Sequence, residues 1–260
     1  MPDTAFDPQA SASVLTLSRL GRTPRPLDLT DALRPRDATQ AYAVQDAVVR
    51  QRGDIVAWKV GAASPQALPA RAALTNDSVW LAEDGGQVRL PAQGFGVMGV
   101  EAELVYQFGA DLPVRATPYS GAEVLDAVAS VHAAIEVCDT RYAAWAQQGE
   151  WSRLADQACH GALIVGSGTG DVTGLRPLAQ AVSLSVNGFL AVQNDTWGNP
   201  AGDPLRLLAW LANDGARSLG GLRAGHCVTT GSCTGTVMVV PGTVVVVQLP
   251  GVGRAELHLA

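Results

Sequence analysis

Charge is scarce in this sequence: Asp, Glu, Lys and Arg make up 16% of it, against about 25% in an average soluble domain. The 18 basic residues are scattered and outnumbered by 24 acidic ones, for a net charge of −6. Without a Lys/Arg cluster to neutralise phosphates, a nucleic-acid partner is excluded. Aromatic residues are few, at 5%, and are not interleaved with the arginines. No apolar run approaches the roughly 18 residues of a membrane-spanning helix, so no membrane role is expected. The opening MPDTAFDPQASASV is polar and acidic, without the basic and apolar stretches of a signal peptide. The cysteines (Cys138, Cys159, Cys227 and Cys233) form no CxxC and no cluster with histidine, the pattern of reduced thiols in a cytoplasmic protein. Neither a GxSxG elbow nor an HExxH pair is present. GSGTG is not followed by a helix carrying Lys-Ser/Thr, which excludes a phosphate loop.

Apolar residues and glycine are plentiful, at 47% and 28 residues of 260. A chain of this length buries on the order of 75% of its surface when folded, so neither a disulfide nor a structural metal is needed for stability. The low charge and abundant small residues also favour a homo-oligomer, in which copies cover part of each other's surface. Residues 10 to 52 read as helical, with Ala41, Val44, Val48 and Val49 near one face and Gly53 as a stop. DIVAWKVGAAS is a short strand. From residue 97 strands dominate: VMGVEAELVYQF alternates, Ser120 and Glu123 form a capping box before a helix, and strand-like runs follow to the C-terminus with one further helix near Pro204. The expected class is α+β, with an N-terminal α/β region (1–95) that is not independent and a mixed-β core (96–260).

Carboxylates stand out within apolar strands. Residues two apart on a strand share a face, so Glu101 and Glu103 point one way while Val100, Ala102 and Leu104 point the other. An exposed strand face is the ordinary explanation of such a pair, but the apolar flanks favour an interior strand, where two like charges require a counter-ion. Glu136, embedded in AAIEVC, is equally out of place unless paired. Either it forms a structural ion pair with Lys59 or Arg141, or the three carboxylates make an open, all-oxygen site suited to Mg²⁺ or Mn²⁺. Lys59, between Trp58 and Val60, either snorkels to the surface or is desolvated, which lowers its pKa and suits acid/base work. Asp139 and Arg141 close the strand after Glu136 as a structural pair or an extension of the site. Asp156, Gln157 and His160 lead into another strand, and Thr229, Thr230 and Ser232 offer hydroxyls in a glycine-bounded run.

The ordered series AYAVQ, WKVGAAS, GVEAELVYQFGADL, AAIEVCDTRY, LADQACHGALIVG, VNGFLAVQNDTWGNPAGDPLRLLAWLAN, LRAGHCVTTGSCT and VPGTVVVVQLPGVGRAELHL resembles the 2-keto-4-pentenoate hydratase branch of the fumarylacetoacetate hydrolase superfamily, from about residue 38 to 260. The resemblance implies a rolled, barrel-like mixed sheet, metal ligands at Glu101, Glu103 and Glu136, and Lys59 acting beside the metal. Carbon–carbon bond hydrolases of the superfamily generally recruit a histidine from before the ExE pair, and here no histidine precedes His132. Hydratases and 4-oxalocrotonate-type decarboxylases share the lysine motif. An aspartate in a Pro-Asp-aromatic-Gly turn falls on LTNDSVW, where Asn76, Asp77 or Ser78 fills the place and Asp77 is preferred as the second catalytic group. The usual Asp-Asn of the later loop is Asp156-Gln157. Gln157, His160, Thr230 and Ser232, from the loop and the hydroxyl run read above, are the expected substrate contacts. The implied reaction is addition of water to a 2-hydroxy-2,4-dienoate, a 2-oxo acid substrate of aromatic ring-cleavage catabolism, with an aldolase or decarboxylase as pathway partner. A decarboxylase, and a catalytically silent subunit or small-acid binding protein, are the alternatives.

Overall fold

The computed structural model describes residues 6–82, 86–172, 174–196 and 198–260. Residues 1–5, 83–85, 173 and 197 lie outside the described residues. In chain order the elements begin with α1 (Pro8–Arg19), α2 (Ala38–Arg52), β1 (Ile55–Gly61), β2 (Ala70–Thr75), β3 (Val79–Leu81), β4 (Gln87–Leu90), β5 (Gly99–Phe108) and β6 (Leu112–Pro113). They continue with α3 (Gly121–Asp126), β7 (Val128–Cys138), α4 (Glu150–Ala155), β8 (His160–Thr169), β9 (Val182–Val186) and β10 (Phe189–Asn194). α5 (Pro204–Trp210), β11 (Gly221–Leu222), β12 (Cys227–Ser232), β13 (Val237–Met238), β14 (Val244–Leu249) and β15 (Gly253–Leu259) complete the chain.

Asp7 and Asp37 cap α1 and α2 by accepting from backbone N–H groups of the first turn, and Gly53 ends α2 at a φ of 140°. The expected helical stretch from 10 to 52 is interrupted. Residues 20–37 form no helix, because Gly21 turns at positive φ and Pro24, Pro26 and Pro35 remove backbone donors. Ala41, Val44 and Val48 of α2 are buried with Leu15 of α1 and Leu154 and Ala155 of α4 in a small helical core. The capping box at Ser120 and Glu123 is formed, but α3 stops after six residues and β7 begins at Val128, earlier than the helical pattern implied.

Among the described residues one sheet runs β2-β1-β12-β5-β7-β8-β3 with β13 beside β5, and a second runs β10-β9-β14-β15-β4. Pairing is antiparallel except for β1 with β12, β3 with β8 and β15 with β4. The region before residue 96 therefore supplies strands to both sheets of the α+β fold. Val100, Ala102, Leu104, Ala133 and Ile135 enter the main core between the sheets, while Val105, Ala134 and Leu163 pack on the other face. That second face carries the glutamates. No helix among the described residues is long and apolar enough to cross a membrane.

The two sheets approach closely where β8 meets β15: a Cβ on Gly166 would overlap the carbonyl oxygen of Arg254 and the backbone of Ala255, and one on Gly253 would overlap Ser167. Neither clash can be relieved by a side-chain rotation. Gly166→Ala is expected to lower the unfolding free energy by about 1–3 kcal/mol, measured by urea denaturation; unchanged stability would show that the sheets are not pinned there.

Candidate active site

Strand register assembles the site. β1, β12, β5 and β7 lie side by side, with Lys59 opposite Thr229, Glu103 opposite Ser232 and Glu101 directly opposite Glu136. Because alternate residues share a face, Lys59, Thr229, Glu101, Glu103 and Glu136 all project from the same side of the sheet. Glu103 and Glu136 are each 1% exposed, and Glu101 is partly buried.

The two oxygens of Glu136 have different surroundings. Its Oε1 accepts from Lys59 Nζ at 2.6 Å and lies 3.0 Å from His160 Nδ1. Among the described residues no N–H or hydroxyl donates to its Oε2, and the Glu103 carboxyl lies within hydrogen-bonding reach of Glu136. Glu103 is held through Oε2 by the Thr229 hydroxyl and by the backbone N–H of Gly231 at 3.1 Å. Glu101 accepts from the Thr236 hydroxyl. Three carboxylates against one ammonium leave excess negative charge on largely buried groups. Burial, reinforced by the charges of Glu136 and Glu101, pushes Glu103 well above the ordinary carboxylate range, and burial beside Glu136 raises Glu101. Burial also works against the charge of Glu136, but Lys59 and His160 outweigh it and hold that carboxyl at about 2.

Lys59 overturns the expectation of a lowered pKa. Burial does act to lower it, but the charge of Glu136, with further contributions from Cys138 and Glu103, raises it above the ordinary lysine value. Its ammonium also donates to the Ala158 carbonyl at 3.1 Å. That carbonyl is presented by a strained turn, since Gln157, Ala158 and Cys159 all have left-handed φ values, of 47°, 50° and 63°. Such conformations cost non-glycine residues on the order of 1–3 kcal/mol each and concentrate at functional sites.

The glutamates open into a cavity of about 960 Å³ whose wall includes Lys59, Val60, Leu68, Trp210 and Ser232, with Arg71, Glu150, Trp151 and Arg153 also on its lining. Several expected substrate contacts lie elsewhere. His160 is fully buried behind Glu136 and does not line the cavity. Burial lowers its pKa to about 4 despite the carboxylate, so the neutral ring donates from Nδ1. Gln157 donates to the Ala73 carbonyl and accepts from Arg52. Thr230 is buried, with its carbonyl bonded by Asn199. Asp77 is absent from the cavity wall because Arg52 of α2 and Thr75 hold its carboxylate. Asn76 and Ser78 do not line it either. Arg141 pairs with Asp156 rather than with Glu136, and Asp139 with Arg25. Thr229, Thr236 and the Ala158 carbonyl support the site without having been singled out as a set; the Thr229 contact with Glu103 follows from antiparallel pairing of β12 with β5, which local pattern does not reveal.

Residues 48–260 match the family described as fumarylacetoacetate (FAA) hydrolase, C-terminal. The chain is 30% identical over 250 residues to a 2-keto-4-pentenoate hydratase of Burkholderia vietnamiensis, covering 91% of this chain and 90% of that protein. It is 29% identical over 240 residues to a protein of the same name from Paraburkholderia phymatum, with 88% of each covered. Among solved structures, 4-oxalocrotonate decarboxylase from Pseudomonas putida G7, complexed with magnesium and adipate, superposes with a TM-score of 0.81 at 24% identity over 97% of both chains.

The Asp77–Arg52 pair makes a pH prediction. Burial acts to raise Asp77, but the Thr75 hydroxyl and Arg52 prevail and lower its pKa. A depressed carboxylate pKa contributes stability that is present above the unfolded value and lost as pH falls through the folded one. With the side chain 47% exposed, Asp77→Asn is expected to cost less than about 1 kcal/mol at pH 7. That difference should close as the pH falls below the ordinary aspartate range. Urea denaturation at several pH values checks it; a cost that grows toward low pH would refute the pairing.

Proposed function

The chain belongs to the fumarylacetoacetate hydrolase family, and from that premise we propose that it is a divalent-metal-dependent hydratase. It adds water to a 2-hydroxy-2,4-dienoate, a form of 2-oxopent-4-enoate, to give a 4-hydroxy-2-oxo acid. One observation carries the reading: Glu136 spends one oxygen on Lys59 and His160 and leaves the other without a donor, beside Glu101 and Glu103. This donor set fits a divalent cation, since the three carboxylates, ionised against one ammonium, carry two excess negative charges that one such ion balances, and the ligand atoms are all hard oxygens. Glu101, Glu103 and Glu136 would hold it. Mg²⁺ or Mn²⁺ bound there supplies a Lewis acid for the carboxylate and C2 oxygen of the substrate.

The chain's own groups do the rest. Lys59, kept protonated by its acidic neighbours, delivers a proton from Nζ to C5 of the dienol while the 2-hydroxyl proton leaves to solvent, giving an α,β-unsaturated 2-oxo acid. The amine so formed takes a proton from the water whose hydroxide adds at C4, and C3 takes a proton from solvent as the 2-oxo group reforms. With cationic charge seated on Glu136, Lys59 loses part of the field that retains its proton, which makes this exchange easier. His160 fixes the carboxylate it contacts, and the apolar wall of Val60, Leu68 and Trp210 receives the substrate's tail. The exposed apolar side chains of Phe189 and Leu190 on the unpaired edge of β10 support a homo-oligomer.

A second reading, decarboxylation of a diacid, is favoured by Arg153. It is exposed on the cavity wall, and its guanidinium has no hydrogen bond or ion pair with any described residue, so it is available to a distal carboxylate.

The assay supplies purified protein with Mg²⁺ or Mn²⁺ and 2-hydroxypenta-2,4-dienoate. The expected result is metal-dependent loss of the dienol absorbance with formation of 4-hydroxy-2-oxopentanoate and no CO₂. Glu136→Gln should lower kcat by at least about a hundredfold. Release of CO₂ from a 2-hydroxymuconate-type diacid would instead establish decarboxylation, and no metal-dependent turnover of either compound would leave a binding protein.

A further inference from the structure

Cys138 lies two residues beyond Glu136 on β7, so both side chains leave the sheet on the same face. Across the ladder Cys138 is paired with Gly99 and Glu136 with Glu101, which brings the thiol alongside Glu101 as well. The Sγ of Cys138 and one carboxylate oxygen each from Glu101 and Glu136 lie within 4.8 Å of one another. Donor atoms that share a first-row ion at about 2.0–2.3 Å stand roughly 3–4.5 Å apart, so small side-chain adjustments bring these three onto one ion. Glu103, whose Oε2 is held by Thr229 and Gly231, is not in this compact set. The second sign of a ligand is the buried Oε2 of Glu136, which has no donor among the described residues.

We propose that Cys138 contributes a sulfur ligand to the divalent ion, making the centre a mixed oxygen–sulfur site rather than an all-oxygen one. The inference rests on the metal-dependent reading above and specifies which ions the centre favours. Thiolate is a soft ligand that Mg²⁺ accepts poorly and that Mn²⁺, Co²⁺, Zn²⁺ and Cd²⁺ accept increasingly well. On binding, the Sγ–metal bond forms, the S–H bond breaks and the proton leaves to solvent. Neither Cys159, on the cavity wall, nor Cys233, near Glu103, belongs to the three-atom set.

Metal-stripped protein titrated with Co²⁺ provides the test, because thiolate-to-cobalt charge transfer absorbs in the near ultraviolet while the d–d bands report cobalt in any ligand set. The band is expected in the unaltered chain, in Cys159→Ser and in Cys233→Ser, and should be lost in Cys138→Ser. That variant should bind Co²⁺ at least about tenfold more weakly, with Mg²⁺ affinity by calorimetry changed much less. Cobalt d–d bands without charge transfer in the unaltered chain, or a band that survives in Cys138→Ser, would overturn the sulfur ligand while leaving the metal centre intact. Failure of the unaltered chain to bind any divalent ion would overturn the metal-dependent function and the sulfur ligand together. If Cys138→Ser does not fold, the ¹¹³Cd NMR shift of the unaltered chain decides: a sulfur-ligated position supports the proposal and an all-oxygen position refutes it.

Discussion

Like charges held on neighbouring strands and largely buried are the constraint to which the rest of the structure answers. Glu101 faces Glu136 across the β5–β7 ladder and Glu103 follows on the same face. Carboxylates so placed repel one another and have lost most of their hydration, a combination that proteins tolerate only with protons, cations or strong hydrogen bonds. The chain supplies some of each. Lys59 arrives from β1, Thr229 and Gly231 from β12, Thr236 from the segment before β13, and His160 from the start of β8. These contacts fix the acids in position without cancelling their combined charge.

The scaffold makes that arrangement rigid. The opposite face of the same strands is filled by Val100, Ala102, Leu104, Ala133 and Ile135, so a one-residue slip of β5 against β7 would drive carboxylates into the main core and expose its apolar residues. Register is therefore specified by the apolar face and exploited by the polar one. Behind the cavity, Arg71 is buried and bonded to Gln45, Asp46, the Gly215 carbonyl and Ser218 while stacking over Tyr42. This network ties β2 to α2 and to the segment after α5. Arg141 does the same for the strained turn at Gln157–Cys159, through Asp156 and the His160 carbonyl.

What could be read in the sequence depended on whether the signal was local. Strand alternation is local, and it assigned Glu101 and Glu103 to one face and their apolar neighbours to the other. A charged residue in an apolar run is also local, and Lys59 and Glu136 come together. The same alternation extended two residues past Glu136 would have put Cys138 on the acidic face. The partners of Asp77 and Gln157 were not local: Arg52 reaches both from α2 and removes them from the cavity. Burial alone misjudged Lys59, because the acids that raise its pKa come from strands far away in the chain. His160 was placed against substrate because its loop enters a strand, whereas burial turns it toward Glu136. In the fold, the break at residues 20–37 was written in Pro24, Pro26 and Pro35, and helical periodicity on either side concealed it.

Diffraction from crystals grown with Mn²⁺, recorded where manganese scatters anomalously, tests the central claim most directly. A single anomalous peak within bonding distance of Glu136 Oε2 and of Glu101 is the result the account predicts. No peak there, with Lys59 as the only cation against the three glutamates, would contradict it.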